Sequence, residues 1–363
     1  MENASSQKET LMKPGIVTWN PVLKLLLNSG VAPLTLMEVF WGLGQARAVM
    51  TATRLGIFEA LSDGPADAEH IAEVAACDPH ATTVLLNALV GFDYLKRKAG
   101  QYSLTSKSSG WLLSDSSGSL VEMMSFLDDL FQGVEPMAET IRSGDVSNFH
   151  HQPRTSEGWR NYVRGLGHLA AKIGGPVAKR VPIDQPPQRL LDVGGGHGMF
   201  SVAFCRRHPT VKAEVFDLPG VVEHGREMVE EAGFSDRVTY RPGDLRNDEW
   251  GEGYDVIFLF NVMHNLAPEE CAEAAKKAFR ALRPGGTFVV LDSQHSGGDG
   301  NLSAVAGFNE LFFFLISGSQ AWPESQVRQW LEDAGFETPK RGTVVPLPGL
   351  LMLTTRRPLA PKN

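Results

Sequence analysis

Residues 190–200, LLDVGGGHGMF, constrain the fold of this chain more than any other stretch. A short apolar run, typical of a buried strand, ends at Asp192 and Val193, and three glycines follow it. Glycine lets the backbone turn tightly and approach a ligand without a Cβ in the way. A helix is predicted to begin near Gly198, where its first turn offers unpaired N–H groups. The segment therefore predicts a strand, a loop that can approach a ligand, and a helix.

The spacing of these glycines argues against a dinucleotide fingerprint. A GxGxxG pattern needs a glycine where Met199 stands, counting from Gly194, or where Ser201 stands, counting from Gly196. A glycine loop alone is weak evidence, because turns collect glycine for structural reasons. The pattern that fits is an acid followed by glycines at alternate positions: Asp192, Gly194, Gly196 and Gly198.

The two halves of the chain differ in the spacing of their apolar residues. From about residue 35 to 182 these recur at helical spacing, and after about residue 185 short β-rich runs alternate with helical stretches. The predicted strands are RLLDV, KAEVF, RVTYR, YDVIFLF and GTFVVLD, the last of which begins at Gly286. Such alternation predicts a parallel sheet with crossover helices, and the proline-rich residues 181–188 are a sensible boundary. We therefore predict an α/β protein of three parts: a mainly helical, winged-helix-like domain at 1–118, linking helices at 119–182 and an α/β domain at 183–363.

Two further acids stand where the next predicted strands end. Asp217 lies about 25 residues after Asp192, near the spacing that nucleotide-binding folds use for an acid on the ribose hydroxyls. Gly243, Asp244 and Leu245 follow the third strand, where the acid can accept from an adenine amino group and the leucine can pack on the ring. A solvated loop is the commoner place for an aspartate. Three acids at successive strand ends nevertheless favour a nucleotide-type ligand.

A histidine stands at another strand-to-helix corner. His264 follows an apolar run and precedes Pro268, Glu269 and Glu270, which are typical of a first helical turn. Open α/β sheets bind their ligands at the carboxyl ends of the strands, so His264 is a candidate for chemistry. The alternative is a strand-end histidine held by a backbone carbonyl.

Composition excludes several functions. A formal net charge of -8 argues against nucleic-acid binding, which needs a surplus of Lys and Arg on one face. The three cysteines show no disulfide or metal-ligand spacing, so we expect a reducing compartment. Since the acids do not cluster either, we expect no metal. No signal peptide is evident, and the apolar run 311–316 is too short to span a bilayer. We therefore expect a cytoplasmic protein that binds neither nucleic acid nor membrane.

Residues 67–105 outline a helix, a turn, a second helix and a short hairpin, which is the order of a winged helix. A DNA-binding regulator therefore has to be weighed. The second helix, PHATTVLLNALVGF, carries no Arg or Lys for phosphates or base edges. Its apolar character favours packing.

These motifs together resemble a known family, the class I S-adenosyl-L-methionine (SAM)-dependent O-methyltransferases with an N-terminal dimerisation domain. Plant caffeic acid and acetylserotonin methyltransferases and many microbial natural-product enzymes belong to it. The resemblance covers about residue 35 to 358 and rests on LLDVGGGHG, FDLPGVV, RPGDL, FNVMHNL, LRPGG and WLEDAGF. It implies a Rossmann-like sheet of seven strands with the last one antiparallel, and residues 339–357 could supply its final hairpin. It also implies SAM as cofactor, a small-molecule acceptor and a homodimer.

The resemblance also implies roles for individual residues. His264 falls at the family's general base, which takes a proton from an acceptor hydroxyl as the oxygen attacks the methyl group, and Asp292 falls where an acid flanks that base. An imidazole suits this role because it is largely neutral at physiological pH. The cofactor-binding residues that the resemblance implies are Asp192, Gly194, Gly196, Asp217, Leu218, Gly243, Asp244, Leu245 and Asn261.

The chain departs from the plant pattern at three positions. Asn265 and Leu266 replace Asp and Trp after the histidine, and Ala321 stands where a second flanking Glu is expected. A base oriented by one carboxylate is less firmly held in its useful tautomer. Methylation of carbon or nitrogen, or a repurposed SAM-binding enzyme such as a pericyclase, therefore stays open. The non-enzyme alternative is a dimeric winged-helix regulator.

The acceptor pocket is expected beside the cofactor site, lined from residues 120–131 and 308–322. Met and aromatic side chains make an adaptable apolar wall. Core packing is the simpler interpretation for any one of them, but together they favour a flat, apolar, aromatic acceptor. The candidates are Met123, Met124, Phe126, Phe312, Phe313 and Trp322.

Overall fold

The computed structural model describes residues 20–29, 33–133, 137–146, 149–152, 155–295, 304–343 and 349–359. Packing divides the chain into two units. Of the described residues, the helical unit takes those up to 132 together with 164–168, and the sheet unit takes 133–163 and those from 169 onward. Among the described helices, none combines the length and the apolar character needed to cross a membrane.

The helical unit has the predicted order of helix, turn, helix and hairpin. Asp67 and Asp78 cap the third and fourth helices by accepting from the N–H groups of His70 and Ala81, as short polar residues do at helix starts. The elements are α1 Pro21–Asn28, α2 Leu34–Arg54, α3 Ala68–Val74, α4 Pro79–Gly91, β1 Leu95–Lys98, β2 Gln101–Leu104, α5 Ser106–Trp111 and α6 Val121–Gly133.

One face of α2 is apolar and exposed. Leu36, Val39, Phe40 and Leu43 recur at helical spacing, and each is at least 63% exposed. Apolar side chains that share one exposed face are typical of an interaction surface. Further along α2, Arg47 and Arg54 both pair with the buried carboxylate of Asp128 on α6.

The sheet unit alternates strands and helices as predicted. It contains α7 Met137–Ser143, α8 Ser156–Ala178, β3 Arg189–Val193, α9 Met199–Arg207, β4 Lys212–Asp217, α10 Pro219–Glu231, β5 Val238–Pro242, β6 Tyr254–Phe260, α11 Pro268–Ala281, β7 Leu282–Ser293, α12 Ala304–Ser317, α13 Glu324–Asp333, β8 Lys340–Gly342 and β9 Leu350–Arg356.

The seven strands form one sheet in the order β5-β4-β3-β6-β7-β9-β8. Strands β3 to β7 pair in parallel, and β9 runs antiparallel to both of its neighbours, which confirms the predicted architecture. The chain leaves β3 toward β4 on one side and later returns to place β6 on the other. Ligands of open α/β sheets bind at the carboxyl ends of strands at such a switch point.

A hydrophobic core covers each face of the sheet. Alternate residues of β6 point to opposite faces, so Phe258 and Phe260 join one core while Ile257 and Leu259 join the other. The first core includes side chains of α8, α9 and α10, and the second includes side chains of α11 and α13. Coverage on both faces explains why β6 is apolar without a break from Val256 to Phe260.

Strand β7 begins earlier than the sequence predicts. The expected strand started at Gly286, whereas β7 starts at Leu282. Leu282 pairs with Tyr254, and the register then shifts so that Thr287 pairs with Val256. The Pro-Gly-Gly stretch is therefore a bulge within the strand and not a turn before it. The predicted final hairpin is β8 and β9, and its residues 344–348 lie outside the described residues.

Candidate active site

The glycine loop joins β3 to α9 in left-handed backbone conformations. Gly194 has φ +66° and its N–H donates to the Phe216 carbonyl at 2.8 Å. A Cβ on this residue would lie 2.5 Å from a methyl carbon of Val262. Gly198 has φ +70°, and a Cβ there would lie 2.5 Å from the Tyr240 hydroxyl. Both positions therefore require glycine on backbone and steric grounds.

Asp192 is a fully buried acid at the end of β3. Its Oδ2 accepts from the Ser201 hydroxyl at 2.6 Å, and its Oδ1 has no hydrogen-bond partner within the described residues. Burial raises the pKa of Asp192 to about 7; the Ser201 bond opposes this rise and the nearby Asp217 adds to it. Since buried polar atoms are nearly always bonded, Oδ1 marks an incomplete site.

Asp217 at the end of β4 is tied to the glycine loop. Its Oδ2 accepts from the N–H of Gly196 and its Oδ1 from the N–H of Leu218, both at 2.7 Å. Burial raises the pKa of this carboxyl to about 6, although the two backbone bonds act to lower it. The bonds fix the orientation of the carboxylate and leave lone pairs on each oxygen for a further donor.

His197, inside the glycine loop, is a functional candidate that the sequence analysis missed. Its Nδ1 accepts from the N–H of Met199 at 3.0 Å and so caps α9, because Gly198 at the cap position has no side chain to do so. Burial lowers the pKa of His197 to about 4, which keeps the ring neutral. A polar residue just before a helix start was the available signal.

The loop after β5 carries Gly243, Asp244 and Leu245. The N–H of Gly243 donates to the Asp217 carbonyl at 2.9 Å, which joins this loop to the end of β4. The Asp244 carboxylate accepts from the Arg246 N–H at 2.9 Å and the Asn247 side chain at 3.1 Å. Leu245 is half-buried against the second core. The carboxylate of Asp244 is thus oriented by its own turn.

A buried lysine holds this loop. The ammonium of Lys277 on α11 donates to the carbonyls of Leu245 at 3.0 Å, Arg246 at 2.7 Å and Asp248 at 3.0 Å. The sequence analysis missed Lys277. Its spacing from Ala274 places it on the buried face of the helix, and a lysine in such a face is rare without partners.

His264 lies in a short 3₁₀ turn, Met263–Asn265, immediately after β6. Its Nδ1 lies 2.6 Å from Oδ1 of Asp292 at the end of β7, and its backbone N–H donates to Oδ2 of the same carboxylate at 3.3 Å. An ionised Asp292 fixes the proton on Nδ1, which leaves Nε2 as the acceptor. The ring stacks on Phe313 with centroids 3.9 Å apart and planes 17° from parallel.

The turn that carries His264 is anchored by side chains from 317–322. Three of them donate to its carbonyls: Ser317 to His264 at 3.3 Å, Ser319 to Leu266 at 2.7 Å and Trp322 to Met263 at 3.0 Å. Ala321 is buried in this stretch and contributes only a methyl group. The position of the missing second acid is therefore filled by a segment that holds the backbone of the turn.

The predicted acceptor-pocket residues fall in both units. In the sheet unit, Phe313 covers the His264 ring, Phe312 stacks on Phe308 with centroids 6.0 Å apart, and the indole of Trp322 packs edge-on to Trp330. In the helical unit, Met123 and Phe126 are buried, and Met124 packs against the core of that unit.

Asn261 sits between β6 and the His264 turn. It has φ +56°, is exposed, and donates its backbone N–H to the Leu291 carbonyl at 2.7 Å. A left-handed conformation is uncommon for a residue with a Cβ, and asparagine tolerates it better than most. The local backbone therefore also explains an asparagine here.

Two protein-family models match the chain. The O-methyltransferase domain matches residues 142–337, which is more than half of the chain, and the O-methyltransferase dimerisation domain matches residues 37–115. The chain therefore belongs to the O-methyltransferase family. This confirms the resemblance inferred from the motifs.

Individual proteins agree with this assignment. The chain is 26% identical over 330 residues to an L-tyrosine C(3)-methyltransferase of Streptomyces lavendulae, covering 85% of this chain and 88% of that protein. It is 25% identical over 317 residues to a 3-hydroxy-5-methyl-1-naphthoate 3-O-methyltransferase of Streptomyces sahachiroi, covering 84% and 89%. The structure of human N-acetylserotonin methyltransferase in complex with SAM matches this chain with a TM-score of 0.77 at 20% identity. The match covers 94% of this chain and all of that one, and it supports the fold.

We expect Asp192→Asn to change how stability depends on pH. The raised pKa of about 7 means that the folded protein binds a proton that the unfolded chain, with an ordinary pKa near ~3.9, releases. In the ligand-free protein this residue's contribution to the free energy of unfolding should therefore fall between about pH 4 and 7, by up to ~4 kcal/mol. Denaturant titrations at pH 5 and 8 should show the variant gaining stability over the parent at the higher pH. Parallel pH profiles would contradict the assignment.

We expect Lys277→Met to weaken binding of the cofactor product S-adenosylhomocysteine. Without the ammonium, three carbonyls lose their donor in the loop that the family resemblance predicts to bind adenine. Bonds to a charged group contribute roughly 1.5–3 kcal/mol, so the dissociation constant should rise about 10-fold or more. Titration calorimetry measures this. Lys276→Met is the matched control, because that neighbouring lysine is exposed; equal effects in both variants would exclude the role.

Proposed function

We propose that this protein moves the methyl group of SAM to a hydroxyl of a small, apolar, aromatic natural product, with His264 as the general base. The observation that carries the proposal is the buried His264–Asp292 pair at the carboxyl ends of β6 and β7. The neighbouring strand in the sheet, β3, ends in the glycine loop. Membership in the O-methyltransferase family supports the same chemistry.

The described residues fit the cofactor. SAM, when bound, supplies a methyl group on a positively charged sulfur. Asp217, fixed by two backbone bonds, is suited to the ribose hydroxyls, and Leu245 to the adenine ring. Asp192 has a buried oxygen that no described residue bonds. Both carboxyls have raised pKa values, so each takes up a proton readily when no positive charge is near. The positive charge of a bound SAM would favour their ionised forms.

His264 acts on the acceptor. Its Nε2 takes the proton of the acceptor hydroxyl as that oxygen attacks the methyl group, and the Asp292 carboxylate stabilises the imidazolium through Nδ1–H. Proton removal of this kind contributes roughly 10²–10⁴-fold, and positioning of the two reactants up to ~7–11 kcal/mol. Phe313, stacked on the ring, limits its rotation.

One carboxylate is sufficient to orient the base in this protein. The resemblance to plant enzymes predicts a second acid at Ala321. In its place, three side chains of the same segment bond carbonyls of the His264 turn and of Leu266, the residue after it. We infer that fixing the backbone of the turn replaces the second carboxylate in keeping the imidazole in place.

The acceptor is proposed to be a phenol. Phe312 and Phe313 offer an aromatic wall beside the base, and the two bacterial relatives are named for acceptors with aromatic rings. One of these relatives is named as a C-methyltransferase, so methylation of a ring carbon next to a phenol hydroxyl is the second candidate. Measuring S-adenosylhomocysteine formed with phenols and locating the methyl group by NMR separates the two.

The protein is also proposed to be a cytoplasmic homodimer. The dimerisation-domain match begins at residue 37 and so includes most of the exposed apolar face of α2. We assign residues 1–118 to dimerisation, 119–182 to linking helices and 183–363 to SAM binding. Within the first range, residues 1–19 and 30–32 lie outside the described residues. The winged-helix-like arrangement serves packing in this proposal, because α4 carries no Arg or Lys for DNA.

We expect His264→Ala to lower kcat by roughly 10²–10⁴-fold while leaving the affinity for S-adenosylhomocysteine within about twofold. Because the variant depends on prior ionisation of the phenol, its rate should rise with pH up to the phenol's own pKa. Asp292→Asn should lower kcat as well, since the amide can hold the wrong tautomer. A His264→Ala variant as fast as the parent, or one whose rate ignores phenol ionisation, would rule this base out.

We expect Val39→Asp to convert the dimer to a monomer. Val39 is 65% exposed in the apolar face of α2, and a carboxylate buried at an apolar interface costs several kcal/mol. Sedimentation equilibrium should show the dimer dissociation constant rising at least ~100-fold. Val84→Asp is the matched control, because that valine is 58% exposed on α4 outside this face. A dimeric Val39→Asp variant would place the interface elsewhere.

A further inference from the structure

His295 and Glu310 form a second imidazole–carboxylate pair that the proposed chemistry does not use. His295 follows β7 by two residues, and Glu310 lies on α12. Nδ1 of the histidine is 2.6 Å from Oε1 of the glutamate, and the two side chains are 21% and 25% exposed. The pair is thus largely, but not fully, withdrawn from solvent.

The contacts of α12 relate this pair to the base. Glu310, Phe313 and Ser317 have the spacing i, i+3 and i+7, so they share one face of the helix. Phe313 stacks on the His264 ring, and Ser317 bonds the His264 carbonyl. Glu310 is therefore about one helical turn from the residue that covers the base.

The other member of the pair is linked to the base through β7. His295 is three residues beyond Asp292, whose carboxylate bonds the imidazole of His264. His295 therefore lies just beyond the end of β7, which carries Asp292, and Glu310 lies on the face of α12 that carries Phe313.

The pair itself lacks hydrogen bonding. Nδ1 of His295 and Oε1 of Glu310 are both buried atoms, and their contact is not aligned as a hydrogen bond. Within the described residues neither atom has another partner. Buried polar atoms without partners are uncommon and costly, and two of them side by side point to a ligand group that bonds both.

We propose that His295 and Glu310 bind a second hydroxyl of the methyl acceptor. A hydroxyl suits both partners, because it donates to the carboxylate while accepting from an imidazole N–H. The inference rests on the proposed function and narrows its substrate class to aromatic acceptors with at least two hydroxyl groups, one presented to His264 and one to this pair. The two residues then determine which acceptors are favoured without taking part in the chemical step.

The test compares acceptors that differ by one hydroxyl. S-adenosylhomocysteine formation is measured with 2-naphthol and with the set of dihydroxynaphthalenes that retain its hydroxyl. The parent enzyme should show a higher kcat/KM for at least one diol than for 2-naphthol, by about 10-fold or more. Glu310→Gln should remove most of that preference through KM, while the rate with 2-naphthol stays within about twofold.

Two further variants keep the result interpretable. His295→Asn tests the other member of the pair and should lower the same preference. Glu332→Gln, at an exposed glutamate on α13, is the control and should change neither rate. Calorimetry with S-adenosylhomocysteine should give the parent affinity for every variant, which establishes that each one is folded.

The inference is overturned if the parent enzyme methylates these phenols with no preference for any diol. It is also overturned if Glu310→Gln and His295→Asn slow the diol and 2-naphthol equally, because the pair would then only tie α12 to β7. Absence of methyl transfer from the parent to every phenol of the set is a different result, since it overturns the proposed function as well.

Discussion

The hydrogen bond between His264 and Asp292 depends on the pairing of two parallel strands. Phe260 of β6 pairs with Leu291 of β7, so the residues just beyond them emerge at the same edge of the sheet. The N–H of Asn261 then bonds the Leu291 carbonyl and continues the alignment past the end of β6. A one-residue slip would turn Asp292 to the opposite face. The two apolar cores that fix the register therefore also fix the distance between the His264 imidazole and the Asp292 carboxylate.

Burial has different effects on the acids beside the glycine loop and on His264. At the glycine loop it raises the pKa of Asp192 and Asp217, so these carboxyls are easily neutralised until a positive charge is brought near. At His264 it encloses an imidazole whose Nδ1 lies 2.6 Å from the Asp292 carboxylate. The first arrangement is suited to binding a cation, and the second to a proton that arrives during the reaction. Both follow from placing acids at strand ends beneath a covering helix or loop.

Much of this arrangement was predictable from local sequence. Strand β6 was predicted with its correct limits because a strand covered on both faces is continuously apolar, and the glycine loop because Gly194 and Gly198 have backbone angles that other residues avoid. Lys277 and Glu310 were not predicted as site residues. Their partners lie 29 or more and 15 residues away in sequence, and only the folded chain shows which loop or strand end each one meets. The start of β7 was wrong for a similar reason, since the bulge is defined by its pairing with β6.

The base proposed at His264 can serve methylation of oxygen or of carbon. Removing the proton from a phenol gives an anion whose charge is shared between the oxygen and the ring carbons beside it, so the step at His264 does not decide which atom is methylated. That choice depends on which atom lies in line with the methyl group, and hence on how the acceptor is held away from the base. Phe313 fixes the plane of the imidazole beside the acceptor, but a stacked ring lets a flat molecule slide within that plane. A polar anchor one turn before Phe313 on α12, such as Glu310, would prevent such sliding. The position of a second hydroxyl therefore bears on the site of methylation as well as on affinity.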